Sequence, residues 1–439
     1  MKCVGCFYHS IFDIHHKYSS SYSPLDTREI IIAGIPMITK VLRFCLFALA
    51  GLAVLSSGGC LVNDETGTVY DPNAVSPRPN PTVTSISPQG GAFAGVDTLI
   101  LAGTNFSVAV AENTVYFDKS PATPFSATSS QLKLVAPLAL GDKISVKVAV
   151  RGAFLFSEPI SYSLTAAVVS FGTLGPTDAA GGLATDATGN LYAAIKGETS
   201  NAKIYKITPA GVKTEYAPET GGTPQWGALR LGPGGYFYAA RSVRAVYRFN
   251  PGGGSAAALW VAFPSGVFIT DFDFDQSENL WAGGNNTNLY LIKQDKTTKS
   301  FPFAGNVRGL RVHSGHLYFA ANTASGEAIW RAPISGDNLG TPEVYFDLTA
   351  AFSGKNLVPT SITFSSDGYL YIGTNAPEFV VIVTPTKASG APYKAYTTLF
   401  GTGTLSFAWG SGDALYASSQ SGALMKISTR KSSAPYYGR

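Results

Sequence analysis

Thiols, imidazoles and charge are all scarce in this chain of 439 residues. It holds 4 cysteines and 5 histidines, and only 14% of its residues are charged. Three of the cysteines (Cys3, Cys6, Cys45) precede position 59, so the chain from Cys60 onward carries one. A disulfide framework or a thiolate metal site is thereby excluded from that part. Histidine falls from 5 to 2 across the same boundary, leaving His313 and His316. From Cys60 onward Lys and Arg number 27 (32 less 5) and Asp and Glu 25 (28 less 3). That near-neutral balance, without a basic tract, argues against nucleic acid as a partner. The longest apolar run, Phe44 to Leu55, is short of the roughly 20 residues that cross a bilayer.

What is present is glycine (47), proline (26) and aromatic residues at 12%. Short runs of Thr, Val, Tyr and Phe lie between turn signals, the profile of an all-β protein.

The N-terminus reads as an address. A basic segment, Met37 to Arg43, precedes the apolar run, and Ser56-Ser57-Gly58-Gly59 leads to Cys60. This is the layout of a secretory signal with a small-residue cleavage site. With cysteine directly after the small residues, it resembles the bacterial lipoprotein lipobox. That resemblance implies a lipidated Cys60 and a cell-envelope location; plain secretion is the alternative. Residues 1–36 place His15, His16, Lys17 and Asp26 ahead of the basic segment, which suits a mis-called extension with Met37 as the start. Residues 37–59 are then the signal and 60–81, ending in Pro-rich sequence, an extended tether.

Residues 82–165 alternate strand-like runs with turns: Val83–Ser87, Thr98–Gly103, Asn113–Phe117, Gln131–Val135, Lys143–Val150 and Ile160–Leu164. The spacing predicts a small sandwich. Ile86-Ser-Pro88 with Gly90-Gly91, then Leu99-x-Leu101-x-Gly103-x-Asn105-Phe106, resembles the immunoglobulin-like IPT/TIG domain. Such domains are expected to act as spacers or interaction modules.

Residues 166–430 repeat. Six strand–turn–strand segments begin at Gly182, Leu229, Phe272, Leu310, Ile362 and Phe407. Each carries an aromatic in its second strand: Tyr192, Tyr238, Trp281, Tyr318, Tyr371 and Tyr416, at intervals of 46, 43, 37, 53 and 45. Four strands per period of about 45 indicate a six-bladed β-propeller. Outer strands are expected at Lys213–Tyr216, Leu259–Phe263, Lys299–Phe303, Val344–Leu348 and Ala395–Phe400. The sixth is Val168–Leu174, pairing with Leu424–Ile427 to close the ring. Residues 431–439 remain as a C-terminal tail. The segment Gly182–Tyr192 resembles the NHL repeat and the six-bladed propellers of gluconolactonase and streptogramin-lyase type. Its Asp186, like Asp275, is expected to bond backbone in the hairpin turn.

Candidate site residues follow from that architecture. Loops leaving the second strands offer Lys196, Arg241, Asn285, Asn286, Asn322, Asn375 and Gln420; loops entering the inner strands offer Trp226, Arg308 and Thr360. Amides, guanidiniums and an indole suit a glycan or a peptide segment of an envelope or extracellular protein. Thr270-Asp271-Phe-Asp273-Phe-Asp275 alternates with period two, so Asp271 and Asp273 are the candidate Ca²⁺ ligands near the channel mouth, hydrogen bonds to neighbouring blades being the alternative; no cofactor is otherwise required. His313 and His316 occupy a turn on the opposite face, where a solvated turn outweighs a two-ligand metal site. With no further histidine, a lyase needing a histidine base loses support. The expected molecule is a lipid-anchored binding protein, held to the membrane through its lipid alone. A propeller hydrolase or lyase with a channel-mouth cation is the alternative.

Overall fold

The computed structural model describes residues 75–197, 201–375 and 377–438. Cys60, the signal-like segment and the tether up to residue 74 lie outside the described residues. Among the described residues no helix is long and apolar enough to cross a membrane.

The first part is a sandwich of two sheets. Thr82–Ser87, Thr98–Thr104, Gln131–Val135 and Ser126–Ala127 form one; Ala92–Ala94, Ile160–Ala166, Gly141–Val150, Asn113–Phe117 and Ser120–Ala122 form the other. Alternation of side chains buries Leu99, Leu101, Leu132 and Leu134 from the first sheet against Val115, Phe117, Val146 and Val148 from the second. Gly103 is required here, because a Cβ would strike the Thr82 carbonyl and the Phe106 ring. All six expected strands are present. The three short edge strands lack a sequence run long enough to announce them.

The second part is a six-bladed propeller. The inner strands are Ala179–Thr185, Ala228–Leu231, Asp271–Phe274, the second half of Thr298–His313, Pro359–Phe364 and Thr404–Trp409. Each packs beside the next, and the sixth beside the first. Blades 3 and 4 merge into one sheet, since Thr298–His313 runs unbroken from the outer edge of one to the centre of the other. Val168–Ser170 pairs antiparallel with Met425–Ile427 as expected, so the first strand after the sandwich completes the last blade.

One expected strand is wrong. Ala395–Phe400 is helical, as Lys394–Tyr396 and Thr397–Phe400, and the outer edge of blade 5 is only Ser389–Gly390. The reason lies in spacing: Tyr393, Tyr396 and Phe400 are all buried, and steps of three and four belong to a helix rather than a strand. This turn also fixes the sandwich. The Tyr396 hydroxyl donates to the Ala94 carbonyl at 2.7 Å and accepts from the Ala167 amide at 3.0 Å. Beside it, Arg430 grips Asp97 with two bonds of 2.9 and 2.7 Å and lies 4.1 Å from the Phe93 ring centre.

The repeated Asp behaves as expected. Asp186 Oδ1 accepts from the Thr188 and Asn190 amides, and Asp275 Oδ1 from Ser277 and Asn279. Their second oxygens accept from the repeat aromatics, the Tyr192 hydroxyl at 3.2 Å and Trp281 Nε1 at 2.9 Å.

Candidate functional site at the channel mouth

Inner strands alternate between blade core and channel, so every second residue points to the axis. The channel positions form two rings in the repeat: Gly182, Ala228, Asp271, Gly309, Ser361 and Ser406, then Ala184, Arg230, Asp273, Arg311, Thr363 and Ala408. Most are small, and that leaves room for two arginines and two aspartates. All four charged side chains are buried.

They form a cross-blade network. Arg230 Nη2 meets both oxygens of Asp271 at 2.8 and 3.1 Å, and Nη1 donates to the Leu229 carbonyl. Asp271 also accepts from the amides of Phe272 and Leu310, tying blades 2, 3 and 4 together. Asp273 accepts from the Val312 amide at 3.0 Å but lies 3.8 Å from Arg311 Nη1. Arg311 Nη2 reaches across to the Phe407 carbonyl at 3.3 Å. Burial, then the charge of Arg311, pushes the Arg230 guanidinium down to about 10.

Burial also raises the Asp273 carboxyl above its ordinary range, opposed by Arg311 and Arg230. A raised value means that the folded protein holds this proton more tightly than the unfolded chain. Its stabilising contribution is complete below the carboxylate's ordinary value and is lost as pH rises through the raised one. The unfolding free energy of wild type minus that of Asp273→Asn should therefore fall as pH climbs from about 4. Urea melts across that window check it; a flat or rising difference contradicts it.

The tail closes one end of the channel. Ser432 and Ala434 bond the backbone of blade 5. The Tyr436 hydroxyl accepts from the Phe364 amide at 2.6 Å and lies 3.1 Å from Thr363 Oγ1. Tyr437 continues across to blade 3, donating to Glu278 at 2.8 Å. With the Arg311 guanidinium 5.2 Å from the Tyr436 ring centre, the channel is stoppered below its charged ring.

Above that ring lies a cavity of about 190 Å³, lined by Arg230, Asp271, Arg308, Arg311, Ser361 and Gln420 among others. Arg230 Nε, Arg311 Nε and Ser361 Oγ are buried polar atoms without a partner. A larger hollow of about 780 Å³ on the opposite face is walled by the tail, Phe274 and His313. His313 there stacks on Phe364 at 4.3 Å, and burial, then His316, holds its imidazole below the ordinary value. Arg230, Arg311 and Ser361, which carry three of these orphaned atoms, all line the mouth cavity, and that makes the mouth the candidate site.

Of the residues expected at the site, Arg308, Gln420, Thr360 and Asp271 line the mouth. Arg308 is paired with Glu327 at 2.7 Å. Trp226 does not line it. The indole is wholly buried between blades 1 and 2, against Tyr247 and Phe249. Gly182 donates to the Trp226 carbonyl, and a Cβ at Gly181 would collide with Gln225 and that carbonyl, so these glycines let the loop carrying Trp226 pack close. Arg241 bonds the Gly222 carbonyl. Asn322 serves Glu327 and Asn375 bonds Val358 and Asn356, so these side chains hold loops, the role that asparagine often has in turns. Asn285 pairs through its backbone with Asn306 in the strand ladder and is exposed. Asp271 and Asp273, expected as Ca²⁺ ligands, instead face guanidinium groups that supply the positive charge. Among the described residues no group of three or more His, Cys, Asp or Glu side chains is placed to hold a metal ion. Sequence reasoning missed Arg230, Arg311, Ser361 and Tyr436.

Residues 81–164 match the IPT/TIG domain family. No curated protein matches the chain. Solved structures share the fold. A candidate phosphatase from Bacteroides thetaiotaomicron is 14% identical with a TM-score of 0.50, the match covering 80% of this chain and 97% of that one. An auxiliary nutrient binding protein from the same organism is 12% identical over 82% of this chain and 98% of its own, with a TM-score of 0.47. A gluconolactonase from Xanthomonas campestris is 11% identical over 60% and 89%, with a TM-score of 0.47. At these identities the likeness concerns the fold alone.

Proposed function

We propose that this is a binding protein of the bacterial cell envelope, anchored by lipid on Cys60. The sandwich serves as spacer, and the propeller mouth recognises a glycan. The observation that carries the reading is the blind channel mouth, where Arg230, Arg311 and Ser361 keep polar atoms without a protein partner and Asp271 is already engaged. A cation-dependent hydrolase or lyase needs carboxylates free to hold metal or take a proton. Asp271 is saturated by Arg230 and two amides. Both histidines lie at the other end of the channel. The sandwich, fixed to the propeller through Tyr396 and Arg430, suits display away from the membrane.

A glycan and peptide array probed with the full chain tests this. Arg308→Ala combined with Gln420→Ala should weaken the retained glycan by at least about tenfold, the worth of one or two lost contacts to exposed polar groups. Unchanged glycan binding in that variant would move the site off the mouth, and capture of peptides alone would replace the glycan.

A further inference from the structure

Arg311 is the least compensated charge in the ring. Its nearest carboxylate oxygen is 3.8 Å away, and its closest acceptor is the neutral Phe407 carbonyl. Asp271, by contrast, is fully occupied, and Arg230 spends one Nη on it and the other on backbone. Both arginines and Ser361 line the cavity, and Arg230 Nε, Arg311 Nε and Ser361 Oγ have no partner within the protein. These residues are 9%, 5% and 7% exposed, so bulk water does not readily serve them. Three leftover hydrogen-bond donors beside an undercompensated guanidinium select an oxyanion. A neutral hydroxyl would meet the hydrogen bonds but not the charge.

The surroundings define what carries that oxyanion. At about 190 Å³ the cavity takes one sugar-sized group. Thr270, Ser406 and Gln420 offer hydroxyl and amide groups around it, while Leu405 gives it apolar wall. Polar groups at several heights with some apolar wall suit a ring bearing hydroxyls on its edge and C–H groups on its face. Resting on the mouth-binding reading above, the geometry points to an acidic sugar as the ligand class, its carboxylate directed down the channel to Arg230, Arg311 and Ser361.

The test is calorimetric titration of the full chain with D-glucuronate and with D-glucuronamide, which keeps the ring and removes the charge. The acid should bind at least about tenfold more tightly. Ser361→Ala deletes a hydroxyl that no protein group uses, so it should melt as wild type does while weakening the acid several-fold. Arg311→Gln should erase the preference for acid over amide. If acid and amide bind alike, and both depend on Arg308 and Gln420, the acid class falls while the mouth reading stands. A preference for acid that survives both Ser361→Ala and Arg311→Gln overturns the assigned site. If N-acetyl-alanyl-alanine binds with the same residue dependence and glucuronate does not, the carboxylate belongs to a peptide and the sugar assignment is overturned.

Discussion

Replacing residues 166–175 with a Gly/Ser segment of equal length is expected to abolish cooperative unfolding of the propeller. Val168–Ser170 supplies three ladder pairs to the last blade, extended by the Ser428 amide bonding Ala167 and the Phe171 amide bonding Leu424. Ala167 and Val168 are each 1% exposed, in the same core as Trp409, Met425 and Ile427. Each lost hydrogen bond costs about 1 kcal/mol and each buried apolar side chain about 1.5–3 kcal/mol. Their sum reaches the whole stability of an ordinary domain, about 5–15 kcal/mol. The unpaired edge at Leu424–Ser428 would also invite association with other chains. Calorimetry should show the sharp endotherm of the parent replaced by a broad, lower one, with aggregation on concentration. A variant that melts as the parent does would mean that the ring is held by blade packing alone.

The second large effect concerns the buried ion pair. Asp271→Ala should destabilise the protein by about 3–5 kcal/mol, because Arg230 is left buried and unpaired and two blade amides lose their acceptor. Arg230→Met together with Asp271→Leu should recover most of that loss, since removing both charges avoids the orphan. Chemical denaturation of the three proteins gives the comparison. Equal losses in the single and the double variant would show that the carboxylate acts through the amides rather than through Arg230.

Much of the fold was legible because strand order repeats in register. The aromatics near the start of each second strand marked six blades, and the apolar run at Val168 announced closure by being left over. Ala395–Phe400 misled because its residues suit a strand by type, while the spacing of Tyr393, Tyr396 and Phe400 tells the opposite. The site was less legible, for two reasons. Loop residues were ranked by chemical type, yet Trp226, Asn322 and Asn375 hold loops in place, and only their neighbours (Gly181 and Gly182 for Trp226) reveal it. The charged ring, by contrast, was within reach. The residue after Leu183, Leu229, Phe272, Leu310, Ile362 and Phe407 in the repeat is Ala, Arg, Asp, Arg, Thr and Ala. Read as the face toward the axis, this column gives Arg230, Asp273 and Arg311 directly. Tyr436 could not be found that way, since the tail belongs to no repeat and its seat depends on the closed ring.

The most direct test of recognition at the mouth is amide hydrogen exchange of the full chain, with and without the glycan retained on the array. Protection should centre on the inner strands and their entry loops near Arg308–Arg311, Thr360–Thr363 and Thr404–Phe407. Protection confined to the outer strands of the blades, or to the sandwich, would contradict the account.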